Sequence, residues 1–240
     1  MIRGLLGKKL GMTQIFDNDG NLIPVTVVET GPCNILELKD SPTKIKLGFE
    51  TTKENRLTKP KLGLFKKAGV SPMRCVREFH STDNNEYKVG QEIKADIFKA
   101  GDFVDVTGIS VGKGFQGGMK RWGWSGGPGG HGSNHHRRVG SIGASADPSR
   151  TVRGFNMPGH MGAKTATIQG LRVMDVDLEH NVLLIKGAVP GHKNGIVSVN
   201  MSRKKQWKDL NEKVVYVERK VNPMKQSKAK SGAASKKKGK

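Results

Sequence analysis

Acid is scarce in this chain. Its 240 residues hold 21 Asp and Glu against 42 Lys and Arg, a formal net charge of +21. Cysteine is scarcer still. Cys33 and Cys75 give neither a disulfide framework nor a C-x-x-C metal knuckle, which points to a reducing compartment. Aromatic residues make up only 5%. No apolar run approaches the ~20 residues needed to span a bilayer. The apolar start Ile2–Leu6 is broken at once by Lys8 and Lys9, so it does not read as a secretory signal. The expectation is a soluble, intracellular protein with no membrane partner. Paired carboxylates at catalytic spacing and a nucleophile elbow are also missing, so no enzyme is expected.

What is present is unevenly placed. Residues 1–100 carry 17 basic and 12 acidic groups, close to an ordinary surface, whereas 220–240 carry eight Lys and no acid. Between Ser110 and Gly170 lie 16 of the 32 glycines, eight Lys or Arg, and one acid, Asp147. That stretch has too few apolar side chains to offset the entropy of ordering so many glycines, so it cannot build a core of its own. A long basic segment held at both ends by a folded body needs a polyanion to fold against, and nucleic acid is the first candidate. The terminal Lys run by itself reads as a solvated tail.

The rest reads as strands. Leu22–Glu29, Asn34–Lys39, Lys44–Glu50, Met73–Phe79, Gln91–Ile97, Phe103–Ile109, Thr165–Gln169, Leu171–Leu178, Val182–Gly187 and Ile196–Val199 are β-branched or alternate apolar with polar, and turn residues separate them. Asp17–Gly20 reads as a hairpin turn between Met12–Phe16 and Leu22–Val28, Ser41-Pro42 and Ser81–Glu86 as further turns, and Glu179–Asn181 as another hairpin turn. One helix is expected over Lys59–Ala68, with Thr58 as cap, Pro60 in its first turn, and Gly69 as its stop. Ser202–Lys213 is a second, weaker helical pattern. Many short strands argue for a mainly β fold, a barrel or a sandwich, with a short helix. The expected organisation is a discontinuous body over 1–110 and 164–200, an inserted extension over 111–163, and a basic C-terminal extension over 201–240, partly disordered when free.

Three motifs need weighing. Gly112–Gly117 is a literal G-x-G-x-x-G after a strand, but glycines interrupt the residues after it and no acid lies about 20 residues on to hold a ribose. The glycines can still let backbone N–H groups approach phosphates, with Lys113, Lys120 and Arg121 supplying charge. His131, His135, His136 and His160 have no cysteine and only Asp147 nearby, so no metal is expected; among Arg137, Arg138, Arg150, Arg153 and Lys164 they suit stacking and hydrogen bonding to RNA. Trp122 and Trp124 are either base platforms or anchors for the loop root. A spacing of two in extended chain puts both on one face.

The stretch Phe98–Arg121 resembles the signature of the large-subunit ribosomal protein L-three family at Phe98, Asp105, Gly108, Ser110, Gly112-Lys113-Gly114, Gly117 and Arg121. Gly4–Thr13, Pro24–Val27, Gly31–Cys33, Phe65–Gly69, Gly140–Gly143, Met157–Gly162 and Leu183–Gly191 are also similar to bacterial members, so the resemblance covers about residues 1–200. It implies a translation-protein-type β-barrel and an extension that runs through large-subunit (23S-type) rRNA toward the peptidyl-transferase centre. It also implies an early role in subunit assembly, a place in the cytoplasmic ribosome, and neighbours of the L-fourteen and L-nineteen families. No cofactor or small-molecule substrate is implied. Two departures stand out. Ala144-Ser145-Ala146 occupies the place where some relatives carry a methylated glutamine, and 201–240 runs past the family's usual end. A nucleotide- or metal-dependent enzyme and a general nucleic-acid chaperone are the competing readings.

Overall fold

Alternation along a strand buries one face and leaves the other wet, and that pattern decides which segments pair here. The computed structural model describes residues 2–17, 19–39, 43–82, 87–205, 207, 208 and 210. Its strands are β1 (Gly4–Phe16), β2 (Leu22–Thr30), β3 (Cys33–Lys39), β4 (Lys44–Thr51), β5 (Met73–His80), β6 (Glu92–Ile93), β7 (Phe103–Ile109), β8 (Gly114–Gln116), β9 (Gly159–Met161), β10 (Thr165–Asp177), β11 (Val182–Lys186) and β12 (Ile196–Met201). The helices are α1 (Lys59–Ala68) and α2 (Gly118–Trp122). The molecule is mainly β.

Six strands close into a ring in the order β1-β12-β7-β10-β11-β2, every neighbouring pair antiparallel. A second sheet, β5-β4-β3-β6, packs beside it. The two share one core. Val104, Val106, Val173, Leu183, Ile185, Val197 and Val199 from the ring are in the same buried cluster as Ile35, Ile45, Leu47, Phe49 and Phe79 from the sheet. β1 joins them because both its faces are buried at the start. Leu5 lies opposite Val199, and the alternate residue Leu6 lies opposite Ser198 and accepts the Cys33 thiol through its carbonyl at 3.5 Å. Each fully buried Leu, Ile or Val contributes about 1.5–3 kcal/mol of burial before entropy is counted.

The expected helix forms over the expected residues. Thr58 sits at the cap in extended geometry but its hydroxyl makes no capping bond, while Gly69 closes the helix at φ +67° with its N–H on Lys66. Phe65 is the buried residue of this helix and packs with Leu36 and Met73. Several expectations need correction. Gln91–Ile97 is a two-residue strand followed by a 3-10 turn over Ala95–Ile97. Thr165–Gln169 and Leu171–Leu178 are one strand, β10, in which a bulge at Gly170 (φ +67°) takes up the break; the Gly170 N–H donates to Asp105 Oδ1 at 2.7 Å. The turn expected at Ser41-Pro42, and residues 83–86 of the turn expected over Ser81–Glu86, lie outside the described residues.

The helix expected over Ser202–Lys213 is absent from the described part of that stretch, because the body claims its backbone. Ser202 N–H donates to Phe103 at 2.8 Å and Lys208 N–H to Gly101 at 3.3 Å. Trp207 Nε1–H donates to the Ala100 carbonyl at 3.0 Å, and the Arg172 guanidinium to the Lys208 carbonyl at 2.9 Å. A side chain at Gly101 would meet the Lys208 carbonyl at 2.4 Å, so glycine is required for this strap to seat. Leu210 then packs against the Ile23, Val25 and Met174 cluster. Residues 211–240, with most of the expected tail, lie outside the described residues.

Burial pushes the Cys33 thiol up to about 12. Near pH 8 about one molecule in ten thousand should then carry a native Cys33 thiolate, and Cys33 should resist a thiol reagent until the chain unfolds. The sign for stability is set by the same shift. The unfolded thiol ionises above about 9 while the native thiol stays protonated, so this contribution is complete below 9 and fades as pH rises toward 12. Cys33→Ala should flatten the decline of melting temperature between those values. An unchanged decline would assign it to other groups.

Candidate nucleic-acid interface

The glycine-rich stretch leaves the ring as a direct continuation of one ladder. β7 pairs with β10 up to Ile109 opposite Thr165, and Ser110 N–H then donates to the Lys164 carbonyl at 2.9 Å. The regular ladder is interrupted at Gly162, where φ is +77° and a side chain would meet the Val111 carbonyl at 2.2 Å, but the arms stay together through Ala163 N–H on Ser110 and Lys113 N–H on Met161. Regular pairing resumes as β8 and β9, with Gly114 opposite Met161, Phe115 opposite His160, and Gln116 opposite Gly159. The extension is therefore an antiparallel ribbon at its root, although composition predicts no strand there.

α2 follows β8, in a place where glycines were expected to prevent a helix. It lasts five residues and Gly123 stops it at φ +72°. A side chain at Gly118 would lie 2.2 Å from the Trp124 ring, so the indole packs directly on the α2 backbone. Trp124 is an anchor. Trp122 is structural as well, since its Nε1–H donates to the Met157 carbonyl at 2.8 Å. The Arg121 guanidinium donates to the same carbonyl and stacks 4.9 Å from the Trp122 ring centre. Met157 thus staples the outgoing arm to the returning one. The two tryptophans do not share a face of extended chain, because a helix end and a left-handed glycine separate them.

Beyond the staple, close backbone approach replaces side-chain packing. Gly127 N–H donates to the His136 carbonyl at 3.1 Å, and a side chain at Gly127 would meet the His135 carbonyl at 2.0 Å. His136 Nδ1 lies 3.0 Å from the Pro128 carbonyl. Trp124, His135, Arg138 and Phe155 border a cavity of about 360 Å³. Of residues 111–163 only Gly118 is buried.

The candidate residues fall into three places. Lys113, His160 and Lys164 stand along the ribbon. Lys120, Arg121, Trp122 and Trp124 stand on and just after α2. His131, His135, His136, Arg137, Arg138, Arg150 and Arg153 occupy the distal loop. Apart from half-buried Arg121 and Trp124, all of them are exposed. Among the described residues none of the eight cations between Lys113 and Lys164 makes an ion pair. No group of three His, Cys, Asp or Glu comes together among the described residues. The glycine motif leads into a β-ribbon and a five-residue helix, unlike the long helix that a dinucleotide site places on a pyrophosphate.

Sequence reasoning missed Phe115. It is 78% exposed, opposite exposed His160, between Lys113 and Lys120. The available signal was a lone aromatic among glycines and cations, the same signal that Trp122 and Trp124 carry. The Gly118–Trp124 contact yields a test. Gly118→Ala should drive the indole off α2, change tryptophan emission, and open 123–156 to proteolysis, while the unfolding midpoint of the body moves by less than about 2 °C. A large drop in that midpoint would show that α2 stabilises the ring.

A family model described as ribosomal protein L3 matches residues 68–179, which contain the whole extension and both ring strands that carry it. Large ribosomal subunit protein uL3 of Brachyspira pilosicoli is 49% identical over 212 residues, covering 87% of this chain and 97% of its own length. The protein of that name from Brachyspira hyodysenteriae is 49% identical over 212 residues, 87% of this chain and 98% of its own. That from Geobacter sulfurreducens is 52% identical over 203 residues, 83% and 97%. Identity of this depth, extending through body and extension alike, means that the chain belongs to the ribosomal protein L3 family.

Proposed function

We propose that this protein is a structural constituent of the large ribosomal subunit, with no catalysis of its own, that binds large-subunit rRNA through the extension. The observation that carries the proposal is the set of eight cations that make no ion pair among the described residues, on a projection with almost no buried side chain. Such a projection gains its ordering free energy from a polyanion. The relatives are named as large-subunit proteins, so rRNA is the natural polyanion and the ribosome of the cytoplasm the natural location. In this reading the closed ring is a translation-protein-type barrel and the body over 1–110 and 164–200 folds as a unit. The extension over 111–163 orders on RNA early in assembly, and proteins of the L-fourteen and L-nineteen families lie alongside. Lys113, Lys120, Arg137, Arg138, Arg150, Arg153 and Lys164 meet phosphates. Phe115, His131, His135 and His160 supply stacking and hydrogen bonds to bases. Arg121, Trp122, Trp124 and His136 hold the extension's shape.

Binding of the full chain to transcribed large-subunit rRNA should weaken steeply with salt. Arg137→Ala with Arg138→Ala should reduce the slope by about 1.4–1.8, two phosphates at about 0.7–0.9 each. Phe115→Ala should weaken binding by about 1–3 kcal/mol, with recovery in Phe115→Trp. An unchanged slope would remove that arginine pair from the phosphate contacts. Equal affinity for random RNA of the same length would favour the chaperone reading.

The tip, about 140–163, supports RNA near the peptidyl-transferase centre in this reading. A side chain at Gly159 would lie 2.7 Å from the Arg121 guanidinium. Gly159→Asp therefore puts a carboxylate on the staple and a negative charge near phosphate. Purified large subunits that contain this variant should still form peptide bonds but respond differently to drugs that bind the centre. Abolished peptidyl transfer in fully assembled subunits would contradict a purely supporting role.

A further inference from the structure

The outer face of β12, β7 and β10 is hollow. Strand register puts Ser198 opposite Thr107 and Thr107 opposite Thr167, a row of hydroxyls across three strands. The next row begins with Asn200 opposite Asp105. A solvated strand face usually carries Lys and Glu, whose long stems cover the backbone. Here the row of Ser198, Thr107 and Thr167 is short, and a basin of about 610 Å³ remains above it.

The basin is chemically prepared. The Thr107 and Thr167 hydroxyls lie 2.8 Å apart, so one donates to the other and the second hydroxyl hydrogen is left for a ligand. Asn200 Nδ2 donates to Ser198 Oγ at 3.4 Å, which leaves the amide oxygen as an acceptor. Of the acids on its wall, Glu78 pairs with Lys39 at 2.7 Å, while Asp105 accepts the Gly170 N–H and keeps its charge, so two guanidinium groups face one carboxylate that makes no ion pair among the described residues. Arg3 and Arg203 line the basin, and neither guanidinium has a carboxylate or carbonyl partner among the described residues. Their backbones are fixed. Arg3 N–H donates to His80 at 3.2 Å and its carbonyl accepts the Met201 N–H at 2.7 Å, while Arg203 follows Ser202, which is bonded to Phe103.

We infer that this basin binds an RNA ribose-phosphate backbone, with Arg3 and Arg203 on phosphates and the Thr107–Thr167 pair on a ribose 2′-hydroxyl. The inference deepens the proposed function and rests on RNA being the polyanion. It gives the body its own RNA contact, separate from the extension. A 2′-hydroxyl both donates and accepts, which is what a hydroxyl pair with one free hydrogen and free lone pairs can answer. A guanidinium matches a phosphate in plane and charge. β7 and β10 form most of the floor and also continue into the extension, so one RNA segment can follow the ladder from basin to ribbon.

The test uses full-length chains, with transcribed large-subunit rRNA and single-stranded DNA of the same sequence as probes. Arg3→Gln with Arg203→Gln should lower the salt slope by about 1.4–1.8. Thr107→Val with Thr167→Val preserves β-branching at a half-buried and an exposed strand position, and its melting temperature confirms folding. That pair should weaken RNA binding roughly tenfold while leaving DNA binding unchanged. Folded variants with wild-type affinity, slope and RNA-to-DNA ratio would overturn the inference. So would equal losses on RNA and DNA from the threonine pair, or displacement of RNA by an acidic peptide that needs the same arginines. Should the wild type not distinguish rRNA from random RNA, the ribosomal reading falls. The basin then still stands if the arginine pair lowers the slope and the threonine pair removes the RNA preference.

Discussion

Backbone pairing between β7 and β10 is the interaction on which the rest of this structure depends. It closes the ring, because β7 also binds β12 and β10 also binds β11. It launches the extension, because the two arms stay hydrogen-bonded through Ser110 and Lys164 and on into the β8–β9 ribbon. It also forms the hydroxyl floor of the basin. Inward side chains Val104, Val106 and Val173 hold this ladder in the core, so its position is fixed by burial. Whatever the outward face meets is addressed by a rigid element.

Charge arranges itself around that ladder in two ways. On the four-stranded sheet, cations are matched: Lys39 and Lys46 meet Glu78 and Glu37, and the Lys46–Glu37 contact holds the Glu37 carboxyl below its usual range. Such exposed pairs contribute little to stability, because water screens them. On the extension the cations have no ion-pair partner among the described residues. An internal carboxylate there would compete with any polyanion for each guanidinium.

Much of the fold was legible in the sequence because it depends on local period. Lys59–Ala68, Met73–Phe79, Phe103–Ile109 and Ile196–Val199 carry their own alternation or caps. What failed depends on distant partners. The start of β1 is buried on both faces and has two glycines, so alternation marked only Met12–Phe16. The strap after Met201 is set by carbonyls about a hundred residues away, as Trp207 on Ala100 shows, and local helix propensity loses to them. The identities of the extension's cations were legible from composition. The division of labour among Arg121, Trp122 and Trp124 was not, because one carbonyl on the returning arm decides it. The hydroxyl row was invisible for the same reason: Thr107 and Thr167 are sixty residues apart and meet only through register.

The Met157 staple has a consequence for how this extension can change length. Together with the β8–β9 ribbon, it shortens the open loop from a separation of 54 residues, at Ser110–Lys164, to 36, at Arg121–Met157. Loop-closure entropy changes by only about 0.4 kcal/mol for that ratio. The staple therefore hardly affects the cost of closing the loop; it fixes a direction. Residues added or lost between Trp124 and Met157 alter reach at almost no cost in folding free energy. A single insertion between Ser110 and Arg121 would instead shift the ribbon register and point the whole projection elsewhere. Length belongs to the distal loop and aim to the root, so the two can vary separately.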